Sequence, residues 1–278
     1  MRTPSQLLHS RPPRGDGAAQ GDLRVWGGRA LVTVADPGAL APALRVGHDH
    51  LRSVARAADR HDPQAEVHRL PAAGGAPVAV GPLLLRHVGA ALETAAATSG
   101  LVDPTVLTPR SGVGQGLVPV CPQVPAPRAA RGWRSVRVSG GTVQVPGGTA
   151  LDLTASALPL ALDDVAVVVA QLTGSAVRLS LHGRTASCDD AGHTSGSAVA
   201  DASRVVDPRT GGPAGTRWSR VEVAAGSART ASALAVAAVL HGDDAPAWLA
   251  DRGVAAWLTA PDGTVVVNAT AALDALVA

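Results

Sequence analysis

Two stretches restrict the fold of this chain more than anything else in it. Residues 134–138 and 142–145 alternate around Gly140-Gly141, and the mostly apolar residues 254–258 and 264–267 flank Asp262-Gly263. Gly-Gly and Asp-Gly supply the backbone angles that a tight reversal between twisted strands demands, so each stretch reads as an antiparallel β-hairpin. A doubly wound parallel sheet connects its strands through crossover helices and has no place for such hairpins. Hairpins interleaved irregularly with helices predict an α+β fold, with mainly antiparallel sheets packed by helices.

Helical spacing of apolar residues is clear in several places. Leu40, Leu44, Leu51, Val54 and Ala58 follow it between about residues 38 and 60, and Leu84, Val88, Leu92 and Ala95 follow it after Pro82 and before Gly100. A run from Ala150 leads into an apolar helix through Val165 and Val169 that Gly174 ends, residues 228–240 read as a very apolar helix, and a short helix is expected from Ala271. Strands are expected at 23–34, in two halves joined at Gly27-Gly28, and at 77–80, 177–181, about 184–187 and 218–223. Residues 59–70 and 193–197 read as loops, and 122–127 as a proline-rich connection. Residues 1–22, with Arg11-Pro12-Pro13-Arg14, read as a flexible tail before a single domain at 23–278. They hold no apolar stretch long enough for the core of a signal peptide, and no window reaches the roughly 20 apolar residues of a membrane span. The expectation is a cytoplasmic protein with no membrane span.

Composition and spacing exclude several functions. The chain has no Lys, Ile, Phe or Tyr, so its 24 basic residues are all Arg and its core must be built from Val, Leu and Ala. The arginines are scattered, the net charge is +2 and five Trp are the only aromatics, which leaves few stacking platforms and argues against nucleic acid as a partner. His48-Asp49-His50 has the residue types of a metal site, but neighbours along a helix point to different faces, and a solvated polar face is expected. Cys121 and Cys188 fit no metal-ligand spacing and leave a disulfide or two free thiols open. Gly112-Val113-Gly114-Gln115-Gly116 lacks the Lys-Ser/Thr of a P-loop. Ser195 lacks the first glycine of Gly-x-Ser-x-Gly, so it is no nucleophile elbow.

The segment from Arg204 to Pro213 carries more. Val205 and Val206 read as the end of a buried strand that Pro208 stops. Gly211 and Gly212 allow a turn and a close approach to the main chain. Asp207 and Thr210 suit either the loop's own N–H groups or a bound polar molecule. The same choice applies to Leu101-Val102-Asp103-Pro104-Thr105-Val106, directly after Gly100.

Taken in order, four stretches resemble the FAD:protein FMN transferase family, also called the ApbE or thiamine-biosynthesis-lipoprotein family. Asp62-Pro63-Gln64-Ala65-Glu66-Val67-His68-Arg69-Leu70 looks like its Asp-Pro-x-Ser-Glu-x-x-x-Leu segment, and Thr98 to Val106 is similar to its Thr-x-Gly-x-Phe-Asp-Pro-Thr-Val. Thr194-Ser195-Gly196 matches Thr-Ser-Gly, and residues 204–213 correspond to His-Ile-Ile-Asp-Pro-Arg-Thr-Gly-x-Pro. The resemblance implies one ApbE-like domain that binds FAD as substrate. With Mg²⁺ it would move the FMN part onto a Thr or Ser hydroxyl of an acceptor protein and release AMP. It implies FAD contacts at Leu101, Val102, Asp103, Thr154, Leu160, Thr194, Ser195, Gly196, Val205, Asp207, Thr210 and Gly211, and Mg²⁺ at the Ala157 carbonyl and Ser232. The helix start near Ala157 would offer N–H groups to phosphate.

The chain departs from the family at chosen points. Where the family's metal helix has Asp and, one turn later, Thr, this chain has Ser232 and Val236. The family's Gly-Gly-x-Ala-Lys-Gly is Thr154-Ala155-Ser156-Ala157-Leu158-Pro159, its Gly-Gly-Asp is His182-Gly183-Arg184, and its His before Ile-Ile is Arg204. Two expectations stand side by side. One is a transferase with Mg²⁺ held by phosphates, Ala157 O, Ser232 and water. The other is a catalytically inactive homologue that binds flavin or a protein partner.

Overall fold

The main sheet begins with a hairpin. Strands β1 (Ala19–Val25) and β2 (Gly28–Val34) pair along their whole length, and the reversal is Trp26-Gly27, with φ of 52° and 63°. Positive φ at both central residues is the mark of the type I′ turn. The turn falls one residue earlier than Gly27-Gly28 because Gly28 is needed inside the strand, where a Cβ would lie 2.5 Å from the His182 ring. Pairing also extends back to Ala19, so residues 19–22, expected in the tail, lie in the sheet. The computed structural model describes residues 17–106 and 132–268.

After β2 the chain leaves the sheet and returns at β6 (Val177–Leu181), antiparallel to β2. The excursion holds α1 (Leu40–Ala58), α2 (Arg69–Ala72), α3 (Pro82–Ala97) and α4 (Ala157–Thr173). It also holds a small sheet of β3 (Val78–Ala79), β4 (Arg137–Ser139) and β5 (Thr142–Gln144), in the order β3-β5-β4. From β6 the strands follow in sequence: β7 (Arg184–Cys188), β8 (Thr194–Asp201), β9 (Arg220–Ala225), β10 (Ala255–Thr259) and β11 (Val265–Val267). The sheet order is β1-β2-β6-β7-β8-β9-β10-β11, antiparallel at every pairing. Helices α5 (Ala228–His241) and α6 (Ala245–Ala250) connect β9 to β10. This is the α+β architecture of antiparallel sheets packed by helices that the hairpins predict.

Alternation along the strands sets the covered face. Val177, Leu179 and Leu181 of β6, Ala186 and Cys188 of β7, Ala198 and Ala200 of β8, and Val221 and Val223 of β9 are all buried. They form two apolar clusters, one with α1, α3 and α4 and one with α5 and α6. Gly174 ends α4 in the left-handed region at φ 65°, as a C-terminal glycine should. At Gly196 the start of α5 rests on bare strand backbone, since a Cβ there would stand 2.0 Å from Ala228 N.

Several local expectations are corrected. Residues 194–197, expected in a loop, open β8, because their N–H and C=O groups pair with β7 and override a sequence poor in β-branched residues. Val205 and Val206 do not end a strand. A 3₁₀ turn (Ala202–Arg204) precedes them, and Val206 makes only an isolated bridge to Pro213, which has no N–H to extend it. Residues 66–72, within and beyond an expected loop, form a 3₁₀ turn (Glu66–His68) and α2. His48 and Asp49 face solvent, but His50 turns inward, its Nε2 3.4 Å from Asp164 Oδ2. Gly112 to Gly116, Cys121, residues 122–127 and the helix expected from Ala271 lie outside the described residues.

Candidate functional site

The register of the main sheet places the one residue around which the site is built. Arg184 opens β7 directly after His182-Gly183, a turn with positive φ at both residues (50° and 72°). It stands opposite Leu181 on one side and Ala198 on the other, both buried on the helix-covered face, so its side chain enters that face. There its Nε donates to Ser232 Oγ at 3.4 Å, and its Nη1 donates to the His182 carbonyl at 3.0 Å. Ser232 lies in α5, one turn past Ala228, and is 2% exposed. Burial, reinforced by Arg204 and opposed by Asp152, lowers the Arg184 pKa to about 10, which leaves it a cation at neutral pH. Arg204 is exposed and forms no ion pair among the described residues.

Asp152 links this group to the loop after α3. It forms an ion pair with Arg60 (3.1 Å), accepts from the Thr154 N–H (3.0 Å), and its own N–H donates to the Pro104 carbonyl (2.8 Å). Asp103 is occupied within its loop, accepting from Thr105 N (2.8 Å), Thr105 Oγ1 (2.7 Å) and Trp133 N (3.0 Å). Leu101 is half-buried beside it and Val102 is buried. At the start of α4, Ala157 is fully buried while Thr154 and Leu160 are half-buried. Hydrogen bonds join Pro104 to Asp152 and Asp152 to Thr154, Arg184 is bonded to Ser232, and Asp152 acts on Arg184 through its charge.

The remaining expected contacts divide between the two ends of α5. Thr194 Oγ1 donates to the Gly226 carbonyl at 2.9 Å, which puts Thr194, Ser195 and Gly196 at the N-terminal end. The loop from Val205 to Gly211 sits at the other end, where Trp218 Nε1 donates to the Gly242 carbonyl (2.6 Å) and the Arg209 charge acts on His241. A helix of 14 residues separates them by about 21 Å. Asp207 is spent inside its own loop: it is buried and bound by Arg209 through Nη2 (2.7 Å), Nε (2.9 Å) and the main-chain N–H (2.8 Å). Arg209 holds the Asp207 carboxyl below its ordinary pKa. Thr210 Oγ1 accepts from Gly212 N (3.1 Å), and Gly211 takes φ 71°. Each of these polar groups has a partner within the loop, so the turn is fully accounted for structurally.

A cavity of about 380 Å³ lies at the end of the β6–β7 hairpin, bordered by Arg29, Ser180, His182, Arg184, Arg220 and Glu222 among others. Ser180, Thr185, Ser197, Val199 and Glu222 alternate with the residues under the helices, so the cavity opens on the face of the sheet away from Ser232; Arg184 borders it only at the hairpin end, and none of the expected flavin contacts does. Arg184 and Asp152 are the site residues that motif reasoning missed. The signal for Arg184 was present, as a basic residue where the resemblance has an acid, but its proximity to Ser232 follows only from strand register.

The residues that the resemblance assigns to Mg²⁺ do not fit that ion. Ala157 offers a main-chain oxygen, Ser232 a neutral hydroxyl already bonded to a guanidinium, and Val236 packs into the α5–α6 apolar cluster. Among the described residues no group of three or more His, Cys, Asp or Glu could hold a metal. Mg²⁺ takes carboxylate and water oxygens in octahedral array, and a cation fixed beside its ligand repels it.

No curated protein sequence matches the chain. Among solved structures, the ApbE protein of Thermotoga maritima superposes with a TM-score of 0.76 at 17% identity, covering 92% of this chain and 98% of that one. The apo form of the Pseudomonas stutzeri flavinyl transferase ApbE gives 0.76 at 18% identity, with 95% and 98% covered. The Vibrio cholerae flavin transferase ApbE gives 0.72 at 18%, with 91% and 97% covered. At such identity these likenesses establish the fold alone. The sequence profile of the ApbE family matches residues 27–195, ending before Arg204 and Ser232. That match spans more than half of the sequence, and the chain belongs to the ApbE family.

Proposed function

We propose that the protein binds FAD and transfers its FMN part to a Thr or Ser hydroxyl of an acceptor protein. The hydroxyl oxygen bonds to the phosphorus of the FMN phosphate, the bond from that phosphorus to the bridging oxygen breaks, AMP leaves with that oxygen, and the hydroxyl proton passes to solvent. The observation that supports this reading is a buried cation, Arg184, bonded to Ser232 and under the charge of Asp152, which is itself bonded to the loop after Asp103, inside a fold shared with flavin transferases. Arg184 brings a fixed positive charge to a site whose reaction separates two phosphates, and preorganised charge there stabilises the developing negative charge. Among the described residues no helix is long and apolar enough to cross a membrane, and the partners in this reading are a flavin nucleotide and an acceptor protein.

A second reading has its own observation. Ser232 and Val236 supply neither carboxylate nor second hydroxyl, which suits a homologue that binds the flavin nucleotide or a protein partner without transferring FMN. Fluorescence titration with FAD, followed by chromatography for AMP and mass spectrometry of a Thr/Ser-containing acceptor peptide, separates the two. Transfer predicts saturable binding, AMP release and an FMN adduct on the peptide. Binding without AMP or adduct leaves the second reading, and no binding at high micromolar FAD removes flavin from both.

A further inference from the structure

We propose that Arg184, assisted by Arg204, takes the place of the divalent cation and clamps the diphosphate of the nucleotide, so that this site binds its ligand without metal. The ligand named rests on the flavin reading above; the clamp itself concerns any diphosphate. Position is the first argument. The Arg184 guanidinium lies against Ser232 Oγ, the residue where the resemblance has a metal-binding carboxylate, on the face of the sheet that α5 covers. A cation held there by strand register and by the His182 carbonyl is already in place before any ligand arrives.

Charge is the second argument. Arg184 and Arg204 act on each other as like charges, and Asp152, the carboxylate that acts on Arg184, is also the ion-pair partner of Arg60. An anion between the two like charges of Arg184 and Arg204 would offset their repulsion. Chemistry is the third. A guanidinium presents five N–H donors in a planar fork that matches two phosphate oxygens at once. Arg184 uses Nε and Nη1 within the protein, while its Nη2 has no protein partner among the described residues. The substitutions are also coherent as a set: an Asp at Ser232 would pair with Arg184 and cancel it, so loss of the carboxylate and gain of the arginine belong together.

The test is calorimetric titration of the full chain with FAD and with inorganic pyrophosphate, each in EDTA and in millimolar Mg²⁺. The expected result is binding of both in EDTA, changed little by Mg²⁺. Arg184→Met and Arg204→Ala should each weaken binding on the order of tenfold or more, the scale of a charge-assisted hydrogen bond. Arg184→Lys, which keeps the charge and loses the fork, should fall between. Arg184 is packed between sheet and helix, so circular dichroism melts check that its variants fold. Arg204 is exposed, and its variant tests the clamp without that risk. Binding that requires Mg²⁺ overturns the clamp and leaves the FAD reading intact. Pyrophosphate bound without FAD supports the clamp and removes the FAD reading. Affinity unchanged in both the Arg184→Met and Arg204→Ala variants, or no binding of either ligand, overturns the clamp.

Discussion

Gly196 and Asp163 hold the same junction from two sides. A Cβ on Gly196 would fall 2.0 Å from Ala228 N and 2.2 Å from Ser227 C, both main-chain atoms that cannot rotate away. Gly196→Ala must push α5 off β8 and is expected to cost about 2–3 kcal/mol, measurable by urea denaturation. The glycine of Thr194-Ser195-Gly196 thus has a packing reason to be there, whatever it does for a ligand. Asp163, from α4, accepts from Ala228 N (2.8 Å) and Arg229 N (3.0 Å) and so caps a helix other than its own. Asp163→Ala is expected to cost about 1–2 kcal/mol. Burial outweighs those N–H bonds and pushes the Asp163 carboxyl up to about 6. The native state then keeps a proton that the unfolded chain has lost. This group's contribution is fully present below an ordinary carboxyl pKa, near 3.8, and is lost as pH rises through about 6. Asp163→Asn cannot titrate but keeps only one of the two accepting oxygens, so its thermal melts should start lower and stay flat between pH 4 and 6.

At the scale of elements, the meeting of α1, α3 and α4 carries the opposite pH dependence. His87 of α3 is fully buried, and neither ring nitrogen has a partner among the described residues. Burial first, then the Arg86 charge and His50, lower its pKa to about 4 against the pull of Asp164. Asp164 itself is held at about 2, against the cost of burial, by bonds to His50 and Arg86. Native His87 stays neutral where the unfolded chain takes up a proton, so stability is present above about pH 6.5 and is lost as pH falls toward 4. His87→Leu should flatten that acid limb and gain on the order of 2 kcal/mol at pH 5, read from denaturation curves at pH 5 and 7.5. The helix was legible from Pro82 to Gly100 because its Leu84, Val88 and Ala95 stripe is periodic, yet His87 on the same face was passed over since it counts as polar. Hairpins were legible for a similar reason: Gly-Gly and Asp-Gly are local signals. The first turns of β8 were not, because Thr-Ser-Gly-Ser has weak strand preference and its pairing with β7 and β9 decides.

At the scale of the whole molecule, the site depends on contacts that no local pattern records. Asp207 and Thr210 stand out in the sequence and prove to be bound within their own loop, whereas Arg184 and Ser232, 48 residues apart, meet because β7 pairs where it does. That contact decides what restoring the family's metal residues would do. Ser232→Asp with Val236→Thr supplies a carboxylate and a hydroxyl on one face of α5, but the carboxylate arrives within reach of Arg184 Nε. An ion pair forms there in preference to a metal complex, and the guanidinium is withdrawn from the diphosphate. The double variant is therefore expected to bind FAD more weakly than the unaltered protein in EDTA and to gain little from Mg²⁺. Adding Arg184→Asp removes the competing cation and provides a second carboxylate. In that triple variant Mg²⁺ should raise FAD affinity tenfold or more, on the scale of several charge-assisted contacts, and EDTA should abolish the gain. Calorimetry on the two variants side by side separates the alternatives. A Mg²⁺-dependent gain already present in the double variant would mean that Arg184 does not stand in the metal's place.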